Sequence, residues 1–236
     1  MNKPYTEKEE FIRVGTTIYK IVNQPRLDGG YVKKRIVWNN ETLRQDYGKD
    51  YLATIPKYDG FCTVPDHVDY KPVTGKFLNL YEPTDHQPRQ VDFPCIRSLV
   101  EHIFGEQYEF GLDYIQLLYL RPIQKLPILL LVSEERNTGK STFLNFLKTI
   151  FQNNVTFNTN EDFRSQFNSD WAGKLLIMVD EVLPNRSEDI ERLKNHSTTL
   201  SYKVEAKAKD HDQTAFSTKS VPYSNNEHLP VIIDTG

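Results

Sequence analysis

An apolar run that breaks into a short polar loop and then resumes helical spacing occupies residues 126–145, LPILLLVSEERNTGKSTFLN. Residues 128–132 are typical of a buried strand. Apolar residues after the loop have the spacing of a helix that packs back on that strand: Phe143, Leu144 and Leu147. This strand–loop–helix order predicts an α/β fold in which the loop binds phosphate.

The residue types of the loop fit that chemistry, because backbone N–H groups and a helix N-terminus attract phosphate oxygens. Lys140 would reach the β- and γ-phosphates, and the Ser141 hydroxyl would hold Mg²⁺. The predicted nucleotide-binding residues are Glu135, Arg136, Asn137, Thr138, Gly139, Lys140, Ser141 and Thr142. Glu134 stands where the pattern G-x-x-x-x-G-K-[ST] has its first glycine. Taken alone, Gly-Lys-Ser also fits a solvated turn capped by Ser141.

A second apolar run, LLIMV at residues 175–179, predicts a strand buried on both faces. Two acids, Asp180 and Glu181, follow it directly. At the end of a strand beside a phosphate loop, the first acid holds Mg²⁺ and the second polarises the attacking water. A strand that ends in a solvated acidic turn is the alternative.

A third segment, KSVPYSNN at residues 219–226, has the form of a short strand that delivers an amide to the same sheet edge. Pro222 argues against a central strand, since proline cannot donate to the ladder. The Ser-Asn-Asn-Glu sequence also fits an ordinary turn or helix cap.

Taken in order, SEERNTGKST, LLIMVDEV and KSVPYSNNEHLP resemble the core of superfamily 3 helicases, and most of all the primase-helicases of phages, plasmids and related mobile elements. The resemblance begins near Phe77. It implies an AAA+-like P-loop NTPase core that binds ATP and Mg²⁺ and moves along single-stranded DNA as a ring, expected to be a homo-hexamer. It also implies a primase domain or a separate primase as partner, in DNA replication of a phage or mobile element.

The resemblance assigns roles to particular positions. Lys140 would contact phosphate, Ser141 and Asp180 would hold Mg²⁺, Glu181 would activate water, and Asn225 would sense the γ-phosphate. Asn225 is preferred to its neighbour as the sensor because a lysine stands six residues before it.

Lys207 and Lys209 lie in the stretch EAKAKD, which resembles the basic segment that faces DNA in the pore of the ring. A solvated strand face is the alternative. The family also has an arginine that completes the neighbouring subunit's site, and this resemblance places it beyond Gly236. Because such an arginine contributes about three to five orders of magnitude in rate, we expect this chain to bind nucleotide better than it hydrolyses it.

The chain has three predicted parts. Residues 1–89 form a β-rich module, since short alternating segments at 17–22 and 31–38 are separated by Gly, Pro and Asp. Residues 90–122 form a helical connector, which the resemblance makes the collar of the ring; packing against the ATPase domain is the alternative. Residues 123–236 form the ATPase core, incomplete at its C-terminal end.

Composition indicates a cytoplasmic protein, because no apolar run approaches the roughly twenty residues that cross a bilayer. Cys62 and Cys95 are predicted to be reduced, buried thiols. A net charge of −3 argues against indiscriminate electrostatic binding of nucleic acid but leaves room for a local basic groove. Lys33-Lys34-Arg35 before Trp38 would be a second contact, although a solvated strand beside a core tryptophan is favoured.

The sequence therefore predicts an ATP-dependent DNA helicase or translocase. A P-loop motor for packaging or assembly and a non-catalytic nucleic-acid-binding fragment are the alternatives. A primase site at Asp59, Asp66 and Asp69 has less support, because no tight acid pair ends an apolar strand there.

Overall fold

The computed structural model describes residues 10–25, 27, 29–133, 135, 137–159, 161, 173–179, 202–204, 212–214 and 219–224. The chain divides into two compact units. The first comprises Met1–Cys62 and Pro72–Asn79, and the second comprises Thr63–Lys71 and Leu80–Gly236. Within the described ranges, no helix is long and apolar enough to span a membrane.

Two small sheets make up the first unit. One contains β1 (Glu10–Val14), β2 (Thr17–Pro25), β3 (Tyr31–Trp38) and β4 (Lys57–Tyr58), in the order β3-β2-β1-β4. The other contains β5 (Gly60–Cys62), β6 (Val73–Thr74) and β7 (Phe77–Asn79), in the order β5-β7-β6. Both alternating segments recognised in the sequence, at 17–22 and 31–38, are strands of the first sheet.

Two helices that the sequence reading did not predict follow β3: α1 (Asn40–Tyr47) and α2 (Tyr51–Thr54). The Asn39 side chain caps α1, because its Oδ1 accepts from the N–H groups of Glu41 and Thr42 at 2.7 and 3.3 Å. Leu43 of α1 is fully buried in a cluster with Phe11 and Ile18 of the sheet. The sequence feature that could have predicted α1 is an asparagine suited to capping a helix, four residues before an apolar leucine.

The second unit is built on a parallel sheet, with a helix between the first two of its strands in the chain. Its helices are α3 (Pro94–Phe104), α4 (Tyr108–Leu120) and α5 (Lys140–Phe151) within the described part of the chain. Its parallel strands there are β8 (Leu131–Val132), β9 (Val155–Asn158), β10 (Leu176–Val179) and β13 (Lys219–Ser224). A separate antiparallel pair joins β11 (Tyr202–Val204) to β12 (Asp212–Thr214).

The order of the parallel strands is β8-β13-β10-β9. The connection through α5 carries the chain from β8 to the far edge strand β9, and the chain then returns by way of β10 and β13. In open parallel sheets, ligands bind beyond the carboxyl ends of the strands where the strand order reverses in this way. The crevice beyond β8 and β13 is therefore the expected place for a ligand.

The prediction of a doubly buried strand at 175–179 is confirmed, since every residue of β10 is at most 1% exposed. The strand at 128–132 is shorter than predicted, because only Leu131 and Val132 pair with a neighbour.

Residues 219–224 form a central strand despite Pro222. Pro222 lies opposite Val179 of β10, one residue before the stretch of β13 that pairs with β8. The short strand considered for this segment is therefore present, whereas the turn that Ser-Asn-Asn-Glu also fits lies mostly outside the described residues.

Both helices predicted between residues 90 and 122 are present. Gly105 ends α3 with a φ of +53°, and α4 ends at Leu120, just before Pro122. Their buried residues, Val100, Tyr114 and Leu118, share one apolar core with α5 and the parallel sheet. The two helices therefore pack against the domain that contains the parallel sheet, which is the alternative given above. Their role as the collar of a ring stays a prediction.

The two cysteines are free thiols. Cys62 is half-buried, but Cys95 is exposed, so the expectation of burial is wrong for Cys95. Cys95 lies in the first turn of α3, on the exposed side of the helix.

The half-buried His67 predicts that the stability of the second unit depends on acid. The His67 ring stacks on Tyr119 at 5.1 Å and packs against Phe151 at 5.5 Å, while its Nε2 lies 2.9 Å from the hydroxyl of Tyr81. Its buried Nδ1 has no hydrogen-bond partner in the described part of the chain. Burial lowers the pKa of His67 to about 4, although the charge of Asp66 opposes the shift.

The stability due to neutral His67 is complete above pH 6.5, the ordinary pKa, and is lost as pH falls through about 4. Between pH 6.5 and about 4, His67 should cost the folded protein up to about 3 kcal/mol of unfolding free energy. We expect His67→Phe to remove this acid-dependent loss. Thermal unfolding between pH 7 and 4 measures this, with His86→Phe as the control for an exposed histidine. An unchanged acid dependence in His67→Phe would contradict the assignment.

Candidate functional site

The loop between β8 and α5 turns sharply just before the helix begins. Asn137 and Gly139 have φ values of +62° and +82°, so the backbone is left-handed at two of three consecutive positions. Consecutive turns of this kind make concave sites for anions. The first intrahelical bond, from Phe143 N–H to the carbonyl oxygen of Gly139, closes at 2.9 Å, and the N–H groups of the first helical turn have no partner within the helix.

Lys140, the first residue of α5, is only 8% exposed. Its Nζ donates to the hydroxyl of Thr138 at 3.0 Å. No carboxylate among the described residues pairs with it. A buried ammonium is costly without a compensating charge, so this position suits an anionic ligand.

An open cavity of about 270 Å³ adjoins this lysine. Its lining residues come from α3, from β8 and the segment before it, and from the loop: His102, Ile103, Leu130, Leu131, Val132, Ser133, Thr138 and Lys140. The cavity is thus apolar on the side of the strand and cationic on the side of the helix. That combination fits a ligand with both a flat or apolar part and an anionic part.

His102 fixes the loop from outside it. Its Nε2 lies 3.1 Å from the carbonyl oxygen of Thr138, and because a carbonyl only accepts, Nε2 carries the proton. The same ring lies close to Gly139, where an added Cβ would be 3.4 Å from it. Gly139 is therefore favoured by its left-handed backbone conformation, whereas an added Cβ would meet the ring only at an ordinary van der Waals distance. His102 was missed in the sequence because it lies outside the apolar stripe of α3.

Three of the strands end together at one edge of the sheet. Val132 of β8 lies beside Ser224 of β13, and Val179 of β10 lies beside Pro222. The loop residues begin after Val132, the acids Asp180 and Glu181 follow Val179, and Asn225 follows Ser224. The strands that lead into these three segments thus converge on the cavity's edge of the sheet.

The remaining predicted site residues divide into two groups. Glu135, Ser141 and Thr142 are exposed at the loop and the first turn of α5, and the carbonyl oxygen of Glu135 accepts from the Ser133 hydroxyl at 3.0 Å. Several lie outside the described residues: Arg136, Asp180, Glu181, Lys207, Lys209 and Asn225, together with Glu134. In the chain, Lys207 and Lys209 fall between β11 and β12.

In two of the three acidic residues considered for a primase site, the carboxylate has partners of another kind. The Asp66 carboxylate accepts from the N–H groups of Val68 and Asp69, both at 2.8 Å, so it caps its own turn. Asp69 pairs with Lys71 at 3.1 Å, and Asp59 belongs to the other compact unit. Among the described residues, no group of three or more His, Cys, Asp and Glu is arranged to hold a metal ion.

Comparison with solved structures finds the same fold in a larger protein region. The fold resembles the C-terminal region of NrS-1. An apo structure of residues 305–718 of that region matches with a TM-score of 0.68 and 17% identity, over 94% of this chain and 55% of the other. Another apo structure, the A form, gives a TM-score of 0.67 and 18% identity over 95% and 56%. The chain therefore spans about half the length of the regions it matches.

Sequence comparisons add less. A model for a family of unknown function, DUF5906, matches residues 131–236, which is less than half of the chain and covers the loop, the parallel strands and the segments that follow them. No curated protein matches the chain.

Proposed function

We propose that the chain is an ATP-hydrolysing motor of the superfamily 3 helicase type, which acts on single-stranded DNA as a ring, expected to be a hexamer, during replication of a phage or mobile element. The proposal combines the ordered sequence motifs with the geometry of the cavity. The similarity in fold to the C-terminal region of NrS-1 is compatible with it.

The observation that carries the nucleotide assignment is the position of Lys140. Its ammonium is almost buried at a helix N-terminus, beside a cavity and without a carboxylate partner among the described residues. A nucleotide phosphate would supply the missing negative charge, and the unpaired N–H groups of the first turn would bind its oxygens. The apolar wall formed by Leu130, Leu131 and Ile103 would border the rest of the nucleotide.

The residues available for Mg²⁺ have suitable chemistry. Ser141 is exposed in the first turn of α5. Asp180 directly follows a buried strand of the same sheet. Hydroxyl and carboxylate oxygens, completed by phosphate oxygens and water, are the ligands that Mg²⁺ prefers. When bound, Mg²⁺ would supply positive charge against the phosphate oxygens. Glu181 would take the proton of the attacking water, and Asn225 would orient that water against the γ-phosphate.

Lys207 and Lys209 are proposed to contact the DNA backbone. They lie between two strands that pair antiparallel, β11 and β12, in the chain segment that separates the acidic motif from β13. Two lysines on such a connection would add a salt-dependent electrostatic contact.

Titration of the chain with a fluorescent ATP analogue in the presence of Mg²⁺ tests the proposal. We expect saturable binding that unlabelled ATP and ADP displace and that adenosine does not, because the phosphates supply most of the contacts. Displacement by adenosine alone would contradict a site organised around Lys140.

A prediction for His102 follows from its bond to the loop. We expect His102→Ala to weaken Mg·ATP binding about fivefold, since one hydrogen bond that holds the Thr138 carbonyl is lost. His102→Gln keeps an N–H donor and should restore part of the affinity. His86→Ala is the matched control, because His86 bonds to the carbonyl oxygen of Thr149, at the other end of α5. Equal affinities in His102→Ala and His86→Ala would contradict the prediction.

A further inference from the structure

The charges of the chain are divided unequally between its two units. The first unit carries twelve lysines and arginines against eight aspartates and glutamates, a net charge of +4, although the whole chain is −3. The second unit is therefore strongly acidic. A charge asymmetry of this kind is typical of a chain in which one part meets a polyanion.

The positive charge of the first unit is concentrated on its edge strand. β3 forms one edge of its sheet, and no described strand pairs with its outer side. Lys33, Lys34 and Arg35 are all exposed, and neither β3 nor its partner β2 contains an acidic residue. Charged side chains of this kind keep a strand edge from pairing with other strands, and they also leave it accessible to a ligand.

One face of β3 combines an aromatic residue with two basic residues. Successive side chains of a strand point to opposite faces, so Tyr31, Lys33 and Arg35 share a face, and Lys34 lies on the other. Tyr31 is 71% exposed. The Arg35 guanidinium lies 5.9 Å from the centre of the Phe61 ring, which itself packs edge-on against Tyr19. The stripe thus offers an exposed ring, an exposed cation and a cation that lies over a second ring.

We infer that this stripe, defined by Tyr31, Lys33 and Arg35, binds single-stranded nucleic acid. Single strands are held by cations that follow the phosphates and by rings on which bases stack, without a need for sequence-specific contacts. The choice of a single strand rests on the proposed function, whereas the charge and the exposed ring are features of the first unit itself. An acidic surface on a second copy of the chain would fit the cations but would leave the open ring of Tyr31 without a role.

Fluorescence anisotropy of a labelled oligodeoxythymidine of about 16 nucleotides tests the inference on the complete chain. Two phosphate contacts contribute a salt slope of about 1.4 on single strands. We therefore expect Lys33→Ala with Arg35→Ala to weaken binding about 25-fold at 0.1 M salt and to flatten the salt dependence by that slope. We expect Tyr31→Ala to weaken binding at least about fivefold with the slope unchanged.

The matched control is Lys49→Ala with Lys76→Ala, which removes the same charge from exposed positions of the same unit. If the control weakens binding as much as Lys33→Ala with Arg35→Ala does, only net charge matters and the inference is wrong. Unchanged affinity in the stripe variant would also overturn it. If the stripe variant changes only the sedimentation coefficient of the protein, the stripe binds a second copy of the chain and the inference is also wrong. An oligouridine arm shows whether the ligand is DNA or RNA.

The same samples separate this inference from the proposed function. Nucleotide binding measured on the stripe variant should be unchanged, and DNA binding is measured on the unmodified chain without nucleotide. If the unmodified chain fails to bind ATP but its DNA binding depends on the stripe, the proposed function fails and the inference stands.

Discussion

Lys140→Ala is expected to reduce Mg·ATP binding by a factor of about 100 or more. The ammonium would bond to oxygens of two phosphates, and a hydrogen bond to a charged group contributes about 1.5–3 kcal/mol. In the free protein the same ammonium is almost buried and bonds only to the Thr138 hydroxyl among the described groups. Isothermal titration calorimetry of both proteins with Mg·ATP measures the difference.

Two further variants identify the cause of the loss. Lys140→Met keeps most of the apolar stem and removes only the charge, so it should bind ATP as poorly as Lys140→Ala without a lower unfolding temperature. Lys125→Ala, an exposed lysine in the segment before β8, should bind normally. If Lys140→Met retains its affinity for ATP, the proposal that this loop binds phosphate is wrong.

Glu181→Gln is expected to leave Mg·ATP binding within about twofold and to slow hydrolysis by about two to four orders of magnitude. The amide has nearly the same shape as the carboxylate but cannot take the proton of the attacking water. Glu181 lies outside the described residues, and the prediction rests on its place directly after Asp180 at the end of the buried strand β10. Single-turnover hydrolysis at saturating ATP measures the chemical step.

Glu109→Gln serves as the matched control, because Glu109 is an exposed carboxylate of α4 that lies outside the predicted nucleotide-binding residues. It should change turnover little. If Glu181→Gln hydrolyses ATP at the unmodified rate, or if it loses binding as well, the residue is not the general base.

Strong apolar periodicity predicted the helices at α3, α4 and α5 and the buried strand β10. A continuous run of large apolar residues is stable only inside the protein, and Leu175, Leu176 and Met178 are completely buried. The loop before α5 was recognisable because Gly139 and Lys140 stand at the change from strand to helix, and the left-handed φ of Gly139 agrees with that reading.

Tertiary context decided the elements that the sequence did not reveal. β13 is a central strand because β8 and β10 supply partners on both sides, and this outweighs the missing N–H of Pro222. His102 reaches the loop because α3 packs in the same core as α5. A contact between residues 36 positions apart has no local signal in a single sequence.

The claim that nucleotide turnover is coupled to single-stranded DNA has one direct test. ATP hydrolysis by the protein should be measured with and without single-stranded DNA, with Lys140→Ala as the control. We predict turnover that DNA increases severalfold and that the control lacks. Turnover that is indifferent to DNA would contradict a helicase and favour a P-loop motor for packaging or assembly, and the absence of any turnover would favour a non-catalytic module.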